Sequence, residues 1–148
     1  MTKEEDKLEP NGAVAIVYRN IDGENQYLLA NQKSGNISLV GGGSEEIDQD
    51  LDDTLVREVY EEIGLNPDEY SIQKTDLKYG TTYHGGHRAG QSVIRQLYII
   101  KIASDLEINP NLEEISGVFW ASENEALEKV TIENLREVMP KAFKEINV

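Results

Sequence analysis

The sequence predicts a mixed α/β fold, and three observations carry that expectation. Apolar runs of strand length alternate with polar turns over residues 13–40. A segment with helical periodicity follows, from about Leu51 to Ile63. Further extended runs then lead to a second amphipathic helix near the C-terminus. At 148 residues the chain is long enough for one domain with a sizeable core and short for two. We therefore expect a loose, charged lead-in over residues 1–10 and a single domain over 11–148.

Composition narrows the function classes. Asp and Glu number 28 against 14 Lys and Arg, a net charge of −14 at pH 7. That field repels polyanions, so duplex nucleic acid is not an expected partner. A phosphate-bearing ligand would need bound cations and local basic groups to reverse the sign. No apolar run approaches the roughly 18 residues of a membrane span, so no membrane association is expected. The opening MTKEEDKLEP lacks the apolar core of a signal peptide. The absence of cysteine excludes disulfides, thiolate metal sites and a cysteine nucleophile. A cytoplasmic monomer or homodimer fits this composition.

Taken in order, AVAIVYR (13–19) reads as a buried strand. Asn20-Ile21-Asp22-Gly23 is a turn, and QYLLAN (26–31) completes a hairpin. After a polar loop, Ile37 to Val40 form a short strand running into Gly41-Gly42-Gly43, where the backbone can approach a ligand closely. No Gly-Lys-Ser/Thr follows, so this is not a P-loop. Asp48, Asp50 and Asp52 alternate as in a calcium loop. The sixth position, however, is Asp53 instead of glycine, and the twelfth is Val59 instead of glutamate. These aspartates suit the positive end of a helix dipole instead.

On that helix Leu51, Leu55, Val56, Val59, Tyr60 and Ile63 share one half of the wheel. Glu58, Glu61 and Glu62 gather within an arc of about 100° on the other side. Like charges at i, i+3 and i, i+4 cost a few tenths of a kcal/mol per pair. A divalent cation with oxygen ligands is the natural compensation. Gly64 stops the helix, with Pro67 just beyond. Residues 70–83 read as extended, and HGGHRAGQS (84–92) as a surface loop. Residues 93–103 are the longest apolar run and are expected at the centre of the sheet. Asn109-Pro110-Asn111 marks a turn, and residues 117–121 form a strand whose Trp120 is expected in the core. Ser122 with Glu125 offers a capping box for a short helix. Thr131 is expected to cap a last helix that runs to Ile146.

The spacing of Gly43, Arg57, Glu58, Val59, Glu61, Glu62, Gly64 and Leu65 resembles the box of the Nudix hydrolases, G-x5-E-x7-R-E-U-x-E-E-x-G-U, with U apolar. One position departs: Gln49 stands where the box has its first glutamate. The resemblance implies a Nudix-type α/β/α sandwich, a mixed sheet between helices with the box as a loop–helix–loop along one edge. It implies Mg²⁺- or Mn²⁺-dependent hydrolysis of a pyrophosphate bond in a nucleoside diphosphate linked to another moiety, a nucleoside triphosphate or related small nucleotide. Glu61 and Glu62 would bind metal, Glu58 would bind metal or act as base, and the Gly42 carbonyl would be a further ligand. Arg57 would hold a box glutamate by a bidentate bond.

The resemblance brings in one further pair of positions, and the residues of the glycine-rich loop suggest others by their own chemistry. A later loop supplies an extra carboxylate in several family members, which brings in Glu113 and Glu114. Tyr83, His84, His87 and Arg88 cluster in the glycine-rich loop and read as substrate contacts, the cations for phosphate and the tyrosine for stacking. A zinc site on His84 and His87 lacks further ligands. A neutral amide at 49 is a poor Mg²⁺ ligand, so a second reading stays open: a nucleotide-binding module with weak catalysis or none.

Overall fold

Strand β1 (Gly12–Ile21) is the axis of a mixed sheet in the computed structural model, which describes residues 9–82 and 92–147. Along one edge β1 pairs in parallel with β6 (Ser92–Ile102), from Gly12 with Arg95 to Tyr18 with Lys101. Its other edge is shared. β2 (Glu24–Asn31) zips to it antiparallel at the hairpin end, from Val17–Leu28 to Ile21–Glu24, around a turn with Asp22 and Gly23 at positive φ. Beyond Val17 the two strands diverge and residues 37–43 fill the fork. β3 (Ile37–Ser38) pairs with the end of β2, and β4 (Val40–Gly43) pairs with the start of β1. β5 (Tyr70–Thr82) continues the sheet beyond β6, and β7 (Gly117–Ala121) lines the outer edge of β2.

Helices cover both faces, which is why β1 carries an unbroken apolar run instead of an alternating one. On one face α1 (Leu51–Ile63) sets Leu55, Val59 and Ile63 against Ala13, Ala15, Val40, Tyr98 and Ile100. On the other, α2 (Glu123–Lys129) and α3 (Glu133–Ile146) cover Val14, Ile16, Tyr27, Leu29 and Leu97 with Ala126, Leu135, Met139 and Phe143. The expected α/β/α sandwich is present. The predicted capping box at α2 is present too, with Ser122 Oγ accepting the Glu125 N–H and the Glu125 carboxylate accepting that of Ser122.

The strand expected at the centre over 93–103 is β6, an interior strand paired along one edge by β1 and along the other by β5. Three details differ from the sequence reading. The strand expected over Ile37 to Val40 is interrupted at Leu39 into β3 and β4, and the three glycines belong to β4. Thr131 does not cap α3, whose N-cap is Ile132. Its hydroxyl instead donates to Asn36 Oδ1 and accepts the Ile37 N–H, fastening the fork to the helical layer. Trp120 is half-buried instead of core, with the Arg19 guanidinium 3.9 Å above its ring. Most of the expected lead-in, residues 1–8, lies outside the described residues.

Helix α1 is pinned at its first turn by the Tyr98 hydroxyl, which donates to Asp52 Oδ1 from the floor of the sheet. Tyr98→Phe keeps the ring and removes that bond. It is expected to cost about 1 kcal/mol and to lower the melting temperature by about 2–4 °C. Thermal denaturation followed by circular dichroism checks it, and an unchanged melting point would show that the pin contributes nothing.

Candidate active site

The chain leaves β4 and enters α1 through Asp50, whose carboxylate accepts the Asp53 N–H at 2.8 Å. Asp52 and Asp53 in the first turn complement the helix dipole, and Gly64 closes the helix at φ 72°. The face turned to the sheet is Thr54, Leu55, Val59, Glu62 and Ile63. Glu62 is thus a carboxylate on the packed face, 7% exposed, whereas Tyr60, expected among the apolar residues, is 59% exposed. The stripe that meets the sheet runs along steps of three and four from Leu51, which carries Tyr60 out to solvent.

The glycines of β4 form the opposite wall. The Gly41 N–H donates to Glu62 Oε1 at 3.1 Å. A Cβ at Gly42 would stand 2.7 Å from Glu58 Oε1, so the Glu58 carboxyl lies directly on that bare α-carbon. Glu58 and Glu62 are within hydrogen-bond reach of each other. Burial pushes the Glu62 carboxyl up to about 9, with repulsion from Glu58 and Glu114 adding and the Gly41 N–H opposing. Burial also raises Glu58, against the pull of Arg57. Two desolvated carboxyls this close hold a proton between them at neutral pH.

Arg57 organises the outer side. Its Nε and Nη2 reach Asp48 Oδ1 and Oδ2 at 3.0 and 2.9 Å, and Nη2 also donates to the Gly43 carbonyl at 2.9 Å. Nη1 donates to Glu58 Oε1 and Glu61 Oε2, both at 3.1 Å. The bidentate bond expected for a box glutamate therefore falls on Asp48, and the glutamates receive one contact each. Gln49 is exposed, with its backbone N–H on Asp53 Oδ2.

Of the two later carboxylates, the structure brings Glu114 into the field of Glu62. The Asn111 N–H holds that turn to α1 through the Glu62 carbonyl at 2.8 Å. Glu113 is exposed, its N–H on Asn111 Oδ1. Tyr83, His84, His87 and Arg88 lie outside the described residues. Sequence reasoning missed Thr54, a buried hydroxyl donating to Asp48 Oδ2, and Arg95, a buried cation that donates to Asn11 Oδ1 beside Gly12. A basic residue inside the apolar run VIRQLYIIKIA was the available signal for Arg95.

Glu58, Glu61, Glu62 and the Gly42 carbonyl are hard oxygen donors, the chemistry that Mg²⁺ and Mn²⁺ select. Among the described residues no three carboxylates or imidazoles are yet gathered on one point as a finished cation site. Arg57 Nη1 holds Glu58 and Glu61 by one oxygen each, and burial favours the protonated form of both Glu58 and Glu62. The donor set fits a hard divalent ion, with Arg57 orienting two of its carboxylates.

A pH dependence follows. With its folded pKa raised, Glu62 keeps a proton that the unfolded chain releases near pH 4.5. Its contribution to stability is full below that pH and is lost as pH rises toward about 9. In EDTA the melting temperature is expected to fall between pH 6 and pH 9, and a divalent cation is expected to restore it most at the alkaline end. A flat profile in both conditions would rule out the protonated pair.

Three comparisons place this arrangement. The family model of the NUDIX domain matches residues 9–142. Nudix hydrolase 15, mitochondrial, of Arabidopsis thaliana is 35% identical over 132 residues, 82% of this chain and 43% of its own length. The chain thus spans less than half of that relative. Among solved structures, a binary complex of C. elegans Ap4A hydrolase superposes with a TM-score of 0.78 at 15% identity, covering 92% of this chain and 96% of that one. The NUDIX domain of Shewanella oneidensis NrtR, complexed with ADP ribose, gives 0.71 at 16%, covering 99% and 94%. At such identities the superpositions speak for the fold, while the domain match and the plant relative speak for descent. With the box carried on α1 against the glycines of β4, the chain belongs to the Nudix family.

Proposed function

We propose that the domain over residues 11–148 hydrolyses a pyrophosphate bond in a nucleoside diphosphate joined to another group, most simply a nucleoside triphosphate, with Mg²⁺ or Mn²⁺. The carrying observation is the Glu58–Glu62 pair, two desolvated carboxyls pressed against glycine backbone. A divalent ion there would neutralise diphosphate oxygens and lower the pKa of a bound water. Glu58, Glu61, Glu62 and the Gly42 carbonyl would hold it. Arg57 aims Glu58 and Glu61 through Nη1, and the Gly41 N–H fixes the Glu62 carboxylate. Glu114, near Glu62, supplies a further carboxylate for a second ion or for the water proton; Glu113 is the weaker candidate. Tyr83, His84, His87 and Arg88 remain the proposed substrate contacts.

Two similar solved structures, an Ap4A hydrolase and a NUDIX domain complexed with ADP ribose, support a small nucleotide without choosing one. A cytoplasmic monomer or homodimer belongs to the same reading. Gln49 alone favours the second reading, a module that binds nucleotide without cleaving it. Phosphate or pyrophosphate release from nucleoside triphosphates, dinucleoside polyphosphates, ADP-ribose and sugar nucleotides, with each metal, separates the two. Turnover of one class establishes the hydrolase. Metal-dependent nucleotide binding with no turnover across the panel establishes the module.

A further inference from the structure

We propose that Asp48 is the positioning residue of the site, the carboxylate that sets Arg57 and through it the two glutamates Glu58 and Glu61. The inference rests on the hydrolase reading above for its link to turnover, and on geometry for the rest. Position 49, where the box spacing calls for an acid, carries an exposed glutamine. One residue earlier, Asp48 turns inward and its side chain is 4% exposed. Each of its oxygens takes one prong of the guanidinium, at 3.0 and 2.9 Å, and Oδ2 also accepts the Thr54 hydroxyl at 3.0 Å and the Glu45 N–H at 2.9 Å.

The consequence for the site is directional. A guanidinium is planar, so fixing Nε and Nη2 leaves Nη1 one place to go. That place lies between Glu58 Oε1 and Glu61 Oε2. Thr54 is fully buried and hydrogen-bonds Ser44 at 2.8 Å, so the anchor is tied to the helix on one side and to the end of β4 on the other. Asp48 touches neither glutamate itself; it acts through Arg57. The acid has moved by one position and its charge has stayed in the site.

The test is Mn²⁺ binding to the full chain, read by electron paramagnetic resonance, with a melting temperature for every variant. Asp48→Asn and Arg57→Lys are each expected to weaken Mn²⁺ binding about 10–100-fold, the usual cost of losing an outer partner of a metal ligand. The double variant should be no worse than the poorer single one, because both changes break one link. Gln49→Ala should stay within about twofold of wild type. At saturating metal the nucleotide KM should hold while turnover at limiting metal falls.

Wild-type affinity in Asp48→Asn, additive losses in the double variant, or a larger loss in Gln49→Ala would each overturn the proposal. Should Asp48→Asn fail to fold, Asp48→Glu carries the test. It keeps the charge but moves the carboxylate by a methylene, and a severalfold loss is expected; no loss overturns the proposal. A wild type that binds Mn²⁺ yet cleaves no nucleotide sinks the hydrolase reading alone. An active wild type with an equally competent Asp48→Asn sinks this one alone.

Discussion

Glu62→Gln is expected to abolish turnover while making the metal-free protein more stable above neutral pH. The two effects have one origin. Glu62 sits on the packed face of α1 at 7% exposure, next to a second carboxyl. Burying charge there is costly, and the raised pKa records the cost. The amide keeps the shape and the acceptor for the Gly41 N–H, so the fold should tolerate it. It cannot supply charge to a cation.

Losing an outer partner of a metal ligand costs about 10–100-fold, so losing the ligand should cost about 10³-fold or more in kcat/KM, roughly 4 kcal/mol of barrier. In EDTA at pH 8–9 the variant should melt above wild type, and that advantage should vanish near pH 5, where the wild-type carboxyl is protonated. Retention of more than about a tenth of the activity would remove Glu62 from the proposed ligand set. A melting temperature below wild type at alkaline pH would mean that the carboxyl is stabilising where it stands.

Gly41→Ala should unfold the protein, and its neighbour should not. Gly41 has φ +145°, and an added Cβ would stand 2.2 Å from the Ala13 carbonyl oxygen and 2.5 Å from Val14 Cα. Those are backbone atoms of β1, held on one edge by β6 and on the other by β4. They cannot retreat without breaking a ladder, so a loss of about 4 kcal/mol or more is expected. That corresponds to a fall of roughly 10 °C in melting temperature, or to no soluble protein. At Gly42 the clash is with the far end of Glu58, which can swing away. Gly42→Ala should therefore melt within a few degrees of wild type and lose about 10²-fold in turnover through the displaced carboxylate. If both variants behave alike, the division between a structural and a functional glycine is wrong.

What the sequence made legible was local. The hairpin, the box helix with Gly64 at its end and the Ser122–Glu125 capping box each rest on residues within four positions of one another. The misses are longer-range. Arg57 and Asp48 are nine residues apart across a turn, so no helical spacing joins them, and the bidentate bond expected at a box glutamate forms with Asp48 instead. Thr131 looks like a cap because its hydroxyl could bond forward, but it is drawn off by Asn36 and Ile37, over 90 residues away. Glu62 falls with the other glutamates on a helical wheel; only the sheet beneath decides that it is buried and Tyr60 is not. The place of β6 beside β1 depends on a parallel pairing across some 80 residues, which no strand pattern encodes.

The fork in the sheet also has a practical use. β1 meets the site at its first residues, where Ala13 faces Gly42, and meets the hairpin turn at its last, where Ile21 faces Glu24. At about 3.3 Å per residue, ten residues put these ends roughly 30 Å apart. The chain has no cysteine, so a single thiol introduced at the exposed Glu24 would be the sole point of thiol attachment. A fluorophore or surface tether placed there would report on, or immobilise, the domain from the end remote from the Glu58–Glu62 pair.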